Sequence, residues 1–263
     1  MSYPIKFGTD GWRGVIADDF TFKNLRLVAQ ATADCFSGLQ SSRRGVFIGY
    51  DVRFLSPQFA LSAAEVFAGN GFQVLLMDRA YPTPYASFEI QRRDLIGGVV
   101  ITASHNPADF NGFKVKAYFG GSAPPEITEE IESLIGRNSV KSSSQNIERI
   151  APTPDYAAHL KNLVDWNRIS ESRLRVVVDS MNGVGGYILE ELLSGTNCEV
   201  RTIRGEPDPL FGGIHPEPMM PQLEPLRIAV LDSDSSVGLA TDGDADRLGI
   251  IDERGHFVNT LQV

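Results

Sequence analysis

Short apolar runs that alternate with amphipathic segments constrain the fold of this chain more than any other sequence feature. Apolar residues recur at helical spacing over 21–39, and 56–71 has a helical pattern that ends in glycine. Between and after them, 45–51 and 72–77 have the pattern of short buried strands. Strands that alternate with helices usually pair in parallel, because a long crossover is needed to return the chain to the same sheet. The pattern therefore predicts an α/β fold.

The alternation of strand and helix patterns continues to about residue 119, and a second series of such patterns follows in the second half of the chain. Further predicted elements are a helix near 84–93, strands at 96–104 and 111–119, helices near 154–164 and 185–194, strands at 174–180 and 198–203, a helix after the proline-rich loop 207–221, and a hairpin-like pair of strands in 236–257. Residues 136–153 are polar and aperiodic, which is typical of a linker. We therefore expect two consecutive α/β domains, over 1–153 and 154–259, with mixed, mainly parallel sheets sandwiched by helices.

Composition restricts the classes of function. The chain has 263 residues, a formal net charge of −9 and no cluster of Lys and Arg, which argues against a general nucleic-acid binder. No apolar run approaches the ~20 residues that a membrane-spanning helix needs, so no membrane contact is expected. Cys35 and Cys198 are the only cysteines, which favours a cytoplasmic location. The oligomeric state is not indicated by the sequence.

Three aspartates in the segment DGDADR are candidates for a metal site: Asp242, Asp244 and Asp246. Carboxylates at i, i+2 and i+4 of a loop can converge on one hard cation, which prefers oxygen ligands. A solvated acidic turn is the alternative. A calcium EF-hand fails because Arg247 stands where its loop needs glycine, and because the flanking segments have strand rather than helix patterns. Magnesium is therefore the predicted ion.

Ser104 follows the apolar run IGGVVI within the segment TASHNP. Ligands gather at the carboxyl ends of strands in open α/β sheets, so this hydroxyl is a candidate nucleophile. The alternative is a turn serine that bonds its own backbone. His105 would point away from Ser104 if the strand continued, which favours a substrate contact over a proton acceptor for that serine. Pro107 prevents a helix from following directly.

Two basic residues lie in glycine-containing motifs. Arg13, in FGTDGWRG, could place a guanidinium on a phosphate or form a surface ion pair beside a tight turn. Lys114, in NGFK, would by default be a solvated surface lysine. The segment DSMNGVGG at 179–186 lacks the spacing of a dinucleotide loop and is interpreted as a structural glycine turn. His215 is interpreted as a residue of the proline-rich loop.

In combination, these segments point to one family. FGTDGWRG, TASHNP, NGFK and DGDADR occur in this order and resemble the signature segments of the α-D-phosphohexomutase superfamily. The residues of FGTDGWRG and of the TASHNP segment resemble the phosphoglucomutase/phosphomannomutase branch more than the phosphoglucosamine mutases. Members of the superfamily have four domains, and this chain resembles the first two. We therefore expect a fragment in which 260–263 begin a third domain.

The resemblance implies a role for each candidate residue. Ser104 would carry a phosphoryl group and would contact a Mg²⁺ ion held by the three aspartates. Lys114 would act as general acid and base, while Arg13 and His105 would line the reacting centre. Arg247, together with Arg13 and Lys114, would bind the substrate. A phosphoserine carries a charge of about −1.5 to −2, so the cation and these basic groups would be needed to balance it.

The implied reaction interconverts hexose 1-phosphate and hexose 6-phosphate. Phosphorylated Ser104 would give its phosphoryl group to the free hydroxyl of glucose 1-phosphate, forming glucose 1,6-bisphosphate as the intermediate and activator. The other phosphate would then return to the serine. Alternatives are a hexose 1,6-bisphosphate synthase of the same family, a metal-dependent sugar phosphatase, and a non-catalytic sugar-phosphate-binding module. The chain by itself is expected to bind Mg²⁺ but turn over poorly, because an open half-site cannot exclude water or orient a bisphosphate.

Overall fold

The computed structural model describes residues 5–8, 11–39, 42–43 and 45–258. The chain divides into two compact units: the residues up to Ala103 together with Asp109–Ala151, and Ser104–Ala108 together with the residues from Pro152 onward. Each unit contains a mixed sheet with flanking helices, which confirms the predicted fold class. Thr9 and Asp10 of the first motif, and the predicted start of a third domain at 260–263, lie outside the described residues.

The described residues of the first unit form one sheet of six strands. Its elements in chain order are β1 (Trp12–Val15), α1 (Phe22–Gly38), β2 (Gly45–Tyr50), α2 (Ser56–Gly69), β3 (Gln73–Met77), α3 (Thr83–Arg92), β4 (Gly97–Ile101), β5 (Phe110–Ala117), α4 (Pro125–Leu134) and β6 (Ile147–Ile150). The strand order is β1-β5-β4-β2-β3-β6. The adjacent strands β4, β2, β3 and β6 pair in parallel, whereas β5 runs antiparallel to both of its neighbours, β4 and β1.

Burial in this unit follows the apolar pattern of the central strands. All residues of β4, and all but the first of β2 and of β3, are buried. Continuous burial is expected where helices cover both faces of a parallel sheet. A Cβ added at Gly97 would lie 2.6 Å from the carbonyl oxygen of Lys116 and 2.8 Å from the ring of Phe36. Glycine therefore permits the close approach of β5 and α1 to β4 at this position.

The second unit has a sheet of five strands within its described residues. Its elements in chain order are α5 (Pro154–Asn162), α6 (Trp166–Glu171), β7 (Arg175–Asp179), α7 (Ile188–Leu193), β8 (Glu199–Ile203), α8 (Glu224–Asp232), β9 (Val237–Thr241), β10 (Leu248–Asp252) and β11 (Phe257–Val258). The strand order is β11-β10-β9-β7-β8. β9, β7 and β8 are parallel, and β10 is antiparallel to β9 and β11. Leu226 and Val230 of α8 join Val177 and Ala240 in the core.

In each sheet, one strand has the next two strands of the chain on its opposite sides, which makes it a topological switch point. In the first sheet β2 lies between β3 and β4, and in the second β7 lies between β8 and β9. Such switch points leave a crevice at the carboxyl ends of the strands, where ligands bind in open α/β folds. TASHNP follows β4, and DGDADR follows β9. Both motifs therefore follow a strand that adjoins a switch point.

Several local predictions need correction. The strand predicted at 96–104 ends at Ile101, and the predicted linker 136–153 contains β6, which pairs in parallel with β3. β6 is an edge strand with two exposed charged residues in the middle, so it has no apolar alternation to detect. The predicted turn at 7–14 includes most of β1. Helices α4 and α6 were not predicted, and the described residues of these two helices include only one buried side chain, that of Ile131.

No helix in the part of the chain that the structure describes combines the length and the apolar character that a membrane crossing requires.

Candidate active site

Ser104 lies three residues beyond the end of β4 and is fully buried. Its φ of 54° is in the left-handed region, which residues other than glycine rarely adopt and which costs on the order of 1 kcal/mol. Its hydroxyl donates a hydrogen bond to Oδ2 of Asp242 at 2.8 Å, within the second unit. The turn therefore directs the hydroxyl to the acidic loop, 138 residues further along the chain. Backbone strain of this kind is concentrated at functional sites.

His105 has a different position from the one expected if β4 had continued. The strand ends at Ile101, and the left-handed turn at Ser104 brings Nδ1 of His105 to 3.3 Å from Oγ of Ser104. The expectation that the imidazole points away from the serine is therefore wrong. A neutral imidazole can donate or accept at this nitrogen, so both roles are chemically open to His105.

The acidic loop between β9 and β10 is organised by the first of its aspartates. Oδ1 of Asp242 accepts hydrogen bonds from the backbone N–H groups of Asp246 at 3.0 Å and of Arg247 at 3.2 Å. The peptide of Ala245 also donates to the carbonyl of Asp242 at 3.1 Å. An aspartate that bonds the backbone of its own loop is a common turn device. Here it leaves Oδ2 directed to Ser104.

The three predicted ligands converge in the structure. One carboxylate oxygen from each of Asp242, Asp244 and Asp246 lies within 4.8 Å of the other two, with the first two residues buried and the third exposed. Such a set of hard oxygen donors fits a divalent cation such as Mg²⁺ or Ca²⁺. Burial, and then the negative charges of Asp244 and Asp246, raise the pKa of Asp242 to about 8. The hydrogen bond from Ser104 acts in the opposite direction and lowers this pKa, but burial and the two neighbouring charges outweigh it.

This pKa predicts how the stability of the metal-free chain depends on pH. An unfolded aspartate titrates near pH 4, whereas in the fold the pKa of Asp242 is about 8. The contribution of this group to stability is therefore complete below about pH 4 and is lost as the pH rises through about 8. We expect the difference in free energy of unfolding between wild type and Asp242→Asn to change across this range in EDTA, with the wild type losing more stability.

Urea unfolding of both proteins at several pH values checks this expectation. Titrating groups outside the cluster of three aspartates are common to both proteins and largely cancel in the difference. A difference that stayed constant with pH would show that Asp242 has an ordinary pKa in the metal-free fold.

The glycine turn at 179–186 packs directly against the acidic loop. The N–H of Val184 donates to the carbonyl of Gly243 at 3.1 Å. A Cβ at Gly183 would lie 2.7 Å from that same carbonyl oxygen, and a Cβ at Gly243 would lie 2.7 Å from the carbonyl oxygen of Ser104. Both contacts are too close for any side chain, so the two glycines allow the serine turn, the acidic loop and the glycine turn to stack on one another.

His215 is a site residue that sequence reasoning missed. Its ring lies 6.3 Å from the ring of His105, at an interplanar angle of 64°. Its Nδ1 is 3.6 Å from Oε2 of Glu217, and its side chain is 35% exposed. The sequence had suggested only a residue of the proline-rich loop, with no role at the site. A histidine within a run of prolines and glycines was the available signal, because such loops carry functional residues more often than cores do.

Arg247 adds positive charge at the edge of the acidic loop. Its Nε is 4.0 Å from Oδ1 of Asp246, and its side chain is 49% exposed. At that exposure the ion pair contributes little to stability. The guanidinium is about half exposed, and its role in substrate binding stays a prediction.

Arg13 and Lys114 belong to the first unit, where the register of β5 brings them together. Arg13 lies opposite Gly112 in the antiparallel pair of β1 and β5, and Lys114 is two residues beyond Gly112. Opposed residues share a sheet face, and so do residues two apart. The two basic residues are therefore diagonal neighbours on one face, with Cα atoms about 7–8 Å apart. Lys114 is only 2% exposed, so the default interpretation as a surface lysine is wrong.

A buried serine hydroxyl that bonds a cluster of three carboxylates defines a class of α/β proteins that can hold a divalent cation beside a hydroxyl group. Comparison with known proteins narrows this class. The family "Phosphoglucomutase/phosphomannomutase, alpha/beta/alpha domain I" matches residues 4–142, and the corresponding domain II matches residues 154–255. The chain therefore belongs to the phosphoglucomutase/phosphomannomutase family of the α-D-phosphohexomutase superfamily, a family of isomerases.

Individual relatives agree with this assignment. The chain is 32% identical to a phosphoglucosamine mutase of Carboxydothermus hydrogenoformans over 98% of its length and 58% of the relative. It is 31% identical to a phosphoglucomutase of Staphylococcus aureus over 96% of its length and 49% of the relative. A crystal structure from Thermus thermophilus, assigned as a phosphomannomutase, superposes with a TM-score of 0.91 at 35% identity, covering 99% of this chain and 60% of that one.

These relatives are named for different sugars at nearly equal identity, so overall identity does not separate the branches of the family. The chain spans about half the length of the curated relatives, 58% and 49% in the two cases above.

Proposed function

We propose that this chain carries the phosphoserine and metal-binding half of a hexose-phosphate mutase that interconverts hexose 1-phosphate and hexose 6-phosphate through a 1,6-bisphosphate. The observation that carries the proposal is the 2.8 Å hydrogen bond from the hydroxyl of Ser104 to Asp242, inside the cluster of three carboxylates. Family membership supports the same reaction class. Glucose phosphates are the substrates we would test first, and a cytoplasmic location is part of the proposal.

The carboxylate cluster is where a metal ion is needed. When all three aspartates are ionised, as cation binding requires, they place three negative charges within 4.8 Å of one another, two of them on buried residues, and a phosphoryl group on Ser104 would add about −1.5 to −2 more. Asp242, Asp244 and Asp246 would hold Mg²⁺, with an oxygen on Ser104 as a further ligand. When bound, the ion would offset two of these charges and would polarise the phosphoryl group as a Lewis acid.

The remaining chemistry falls to side chains of the protein. In the first half-reaction the bond between phosphorus and Oγ of Ser104 breaks, and the free sugar hydroxyl forms the new bond to phosphorus. Lys114 takes the proton of that hydroxyl, and Oγ keeps the electron pair of the broken bond. In the second half-reaction Oγ attacks the other phosphate of the bisphosphate, and Lys114 returns the proton to the departing sugar oxygen. Arg13, His105 and Arg247 bind phosphate oxygens and orient them for transfer.

Phosphoryl uptake by the 263-residue chain tests the proposal directly. The chain is incubated with glucose 1,6-bisphosphate and Mg²⁺, and intact mass followed by peptide mapping reports whether Ser104 gains a phosphoryl group. A mutase half predicts phosphoserine together with released glucose monophosphate. Release of inorganic phosphate with no lasting phosphoserine would instead identify a phosphatase, and sugar-phosphate binding without any transfer would identify a non-catalytic module. Accumulation of bisphosphate from a phosphorylated chain and monophosphate, without further conversion, would favour a bisphosphate synthase.

Lys114→Met is expected to slow phosphoryl uptake on Ser104 by a factor of about 100 to 10,000, the usual contribution of a positioned acid or base. Lys116→Met is the matched control, because Lys116 is two residues along the same strand and is also buried, at 8% exposure against 2%. The measurement is the initial rate of uptake at saturating bisphosphate, with Mg²⁺ affinity determined for each variant. Equal losses in both variants would show that any buried lysine on β5 matters, and would remove Lys114 from the acid–base role.

A further inference from the structure

The turn after β2 contains a buried ion pair that has no part in the proposed reaction. Asp51 and Arg53 are each 1% exposed, and Nε of Arg53 donates to Oδ2 of Asp51 at 3.0 Å. Burying two charges is costly, and apolar residues of similar volume often give equal or greater stability. Stability alone is therefore a weak reason for this pair to be present, and the partners of its two charged groups indicate what else it does.

Asp51 holds the chain just before the serine turn. Oδ2 of Asp51 accepts a hydrogen bond from the hydroxyl of Thr102 at 2.7 Å, and Thr102 is fully buried. Oδ1 accepts from the backbone N–H of Arg53 at 3.0 Å and from the hydroxyl of Ser56 at 2.9 Å. The N–H of Asp51 donates to the carbonyl of Ile101 at 3.0 Å. Side chain and backbone of Asp51 therefore both fix the segment that enters the turn.

Arg53 and Ser56 hold the chain just after the turn. Nη1 of Arg53 donates to the carbonyl of Phe110 at 3.0 Å. Nδ2 of Asn111 donates to the hydroxyl of Ser56 at 2.9 Å, and Oδ1 of Asn111 accepts from the N–H of Gly112 at 2.8 Å. The segment that leaves the turn is thus bonded to the same network as the segment that enters it.

The two segments are also joined to each other, since the N–H of Thr102 donates to the carbonyl of Gly112 at 3.0 Å. A Cβ at Gly112 would lie 2.3 Å from the carbonyl oxygen of Thr102, so only glycine allows this approach. The residues 103–109, which include the strained Ser104, are therefore held at both ends by short, directional bonds from one buried network.

We propose that Asp51 and Arg53 are positioning residues that fix both ends of the serine turn, so that Oγ of Ser104 is presented to the reacting phosphorus in one orientation. This inference rests on the proposed role of Ser104 as the phosphoryl carrier. A displacement of the nucleophile by about 1 Å costs on the order of 100-fold in rate. Loss of one of these bonds should therefore lower the rate of transfer much more than it lowers stability or metal affinity.

Thr102→Val tests the proposal with a small change. The obvious variant, Asp51→Asn, would leave the Arg53 guanidinium buried without its counter-charge and risks unfolding the protein. Valine keeps the shape of threonine and removes only the hydroxyl that bonds Asp51, while Thr102→Ser restores it. Thr32→Val is the matched control, since Thr32 is fully buried in α1 of the same unit and its hydroxyl bonds the carbonyl of Val28 at 2.8 Å.

The rate of phosphoryl uptake on Ser104 of the 263-residue chain is measured at saturating glucose 1,6-bisphosphate. We expect Thr102→Val to lower this rate by about 10- to 100-fold, with Mg²⁺ affinity unchanged. Thr102→Ser should recover the wild-type rate to within about a factor of three, and Thr32→Val should retain it. Equal rates in the two valine variants would overturn the proposal.

Hydrogen exchange separates a failure of this inference from a failure of the proposed function. If the wild type takes up no phosphoryl group, the proposed role of Ser104 fails, and the exchange rates still report on the network around Asp51 and Arg53. Thr102→Val should then speed amide exchange over residues 103–112, whereas Thr32→Val should not. Unchanged exchange in this segment would show that the network does not hold the turn.

Discussion

A chain in which Ser104 is replaced by Ala is expected to take up no phosphoryl group from glucose 1,6-bisphosphate. The hydroxyl is the proposed site of covalent attachment, and it is the group that meets Asp242 at 2.8 Å. Because the φ of 54° disfavours alanine, Ser104→Gly is made as well. Glycine adopts this conformation without strain and also lacks the hydroxyl. Intact mass after incubation should show the unmodified chain for both variants and the phosphorylated chain for the wild type.

The control for these variants is Ser62→Ala. Ser62 is a buried serine at 5% exposure, and its hydroxyl accepts a hydrogen bond from Nε of Arg26 at 2.9 Å. Its loss should leave phosphoryl uptake unchanged. Phosphorylation that persisted in Ser104→Gly would show that another residue carries the phosphoryl group and would remove the basis of the proposed function.

The second large effect is expected for Asp244→Asn, which should weaken Mg²⁺ binding by more than about 100-fold. Even residues that only support metal ligands change affinity by about 10- to 100-fold when mutated, so a buried ligand should exceed that range. Asp244 is fully buried and belongs to the cluster of three carboxylates. Isothermal titration calorimetry measures the affinity. Asp234→Asn is the control, because this side chain is 92% exposed and its replacement makes the same change in net charge.

Thermal unfolding provides a second, independent test of the same variant, because the direction of its stability change should differ between EDTA and Mg²⁺. In EDTA, Asp244→Asn should stabilise the chain, because it removes one of the two negative charges that raise the pKa of Asp242. In Mg²⁺ the order should reverse, because the wild type gains the free energy of binding. A variant that lost stability in EDTA and bound Mg²⁺ like the wild type would show that the cluster is a structural turn rather than a metal centre.

The elements that the sequence predicted well are those whose patterns are set by burial. α1, α2, β2 and β3 lie within a few residues of their predicted bounds, since each presents a continuous apolar face or run to the core. The elements that the sequence did not predict bury few apolar side chains. β6 pairs through its backbone at a sheet edge, and α6 has no buried residue, so neither carries an apolar pattern.

At the site, residue types were informative and orientations were not. The three aspartates were predicted to converge because their spacing within one loop is local, and their carboxylates do lie within 4.8 Å of one another. The position of His105 depended on where β4 ends and on the left-handed turn at Ser104, and it was predicted wrongly. His215 was missed because its contact with His105 joins positions 110 residues apart in sequence (105 and 215), which no local pattern encodes.

The sequence by itself determined the fold class, the family and the identity of the candidate ligands, because these follow from periodicity and from short motifs of fixed spacing. Only the tertiary structure decided what those motifs meet. It bonds Ser104 to Asp242, and it connects Asp51 and Arg53 to both ends of the serine turn. The physical reason is that hydrogen bonds and burial act between groups brought close by the fold, and their strength depends on distances and angles of the folded chain rather than on separation in sequence.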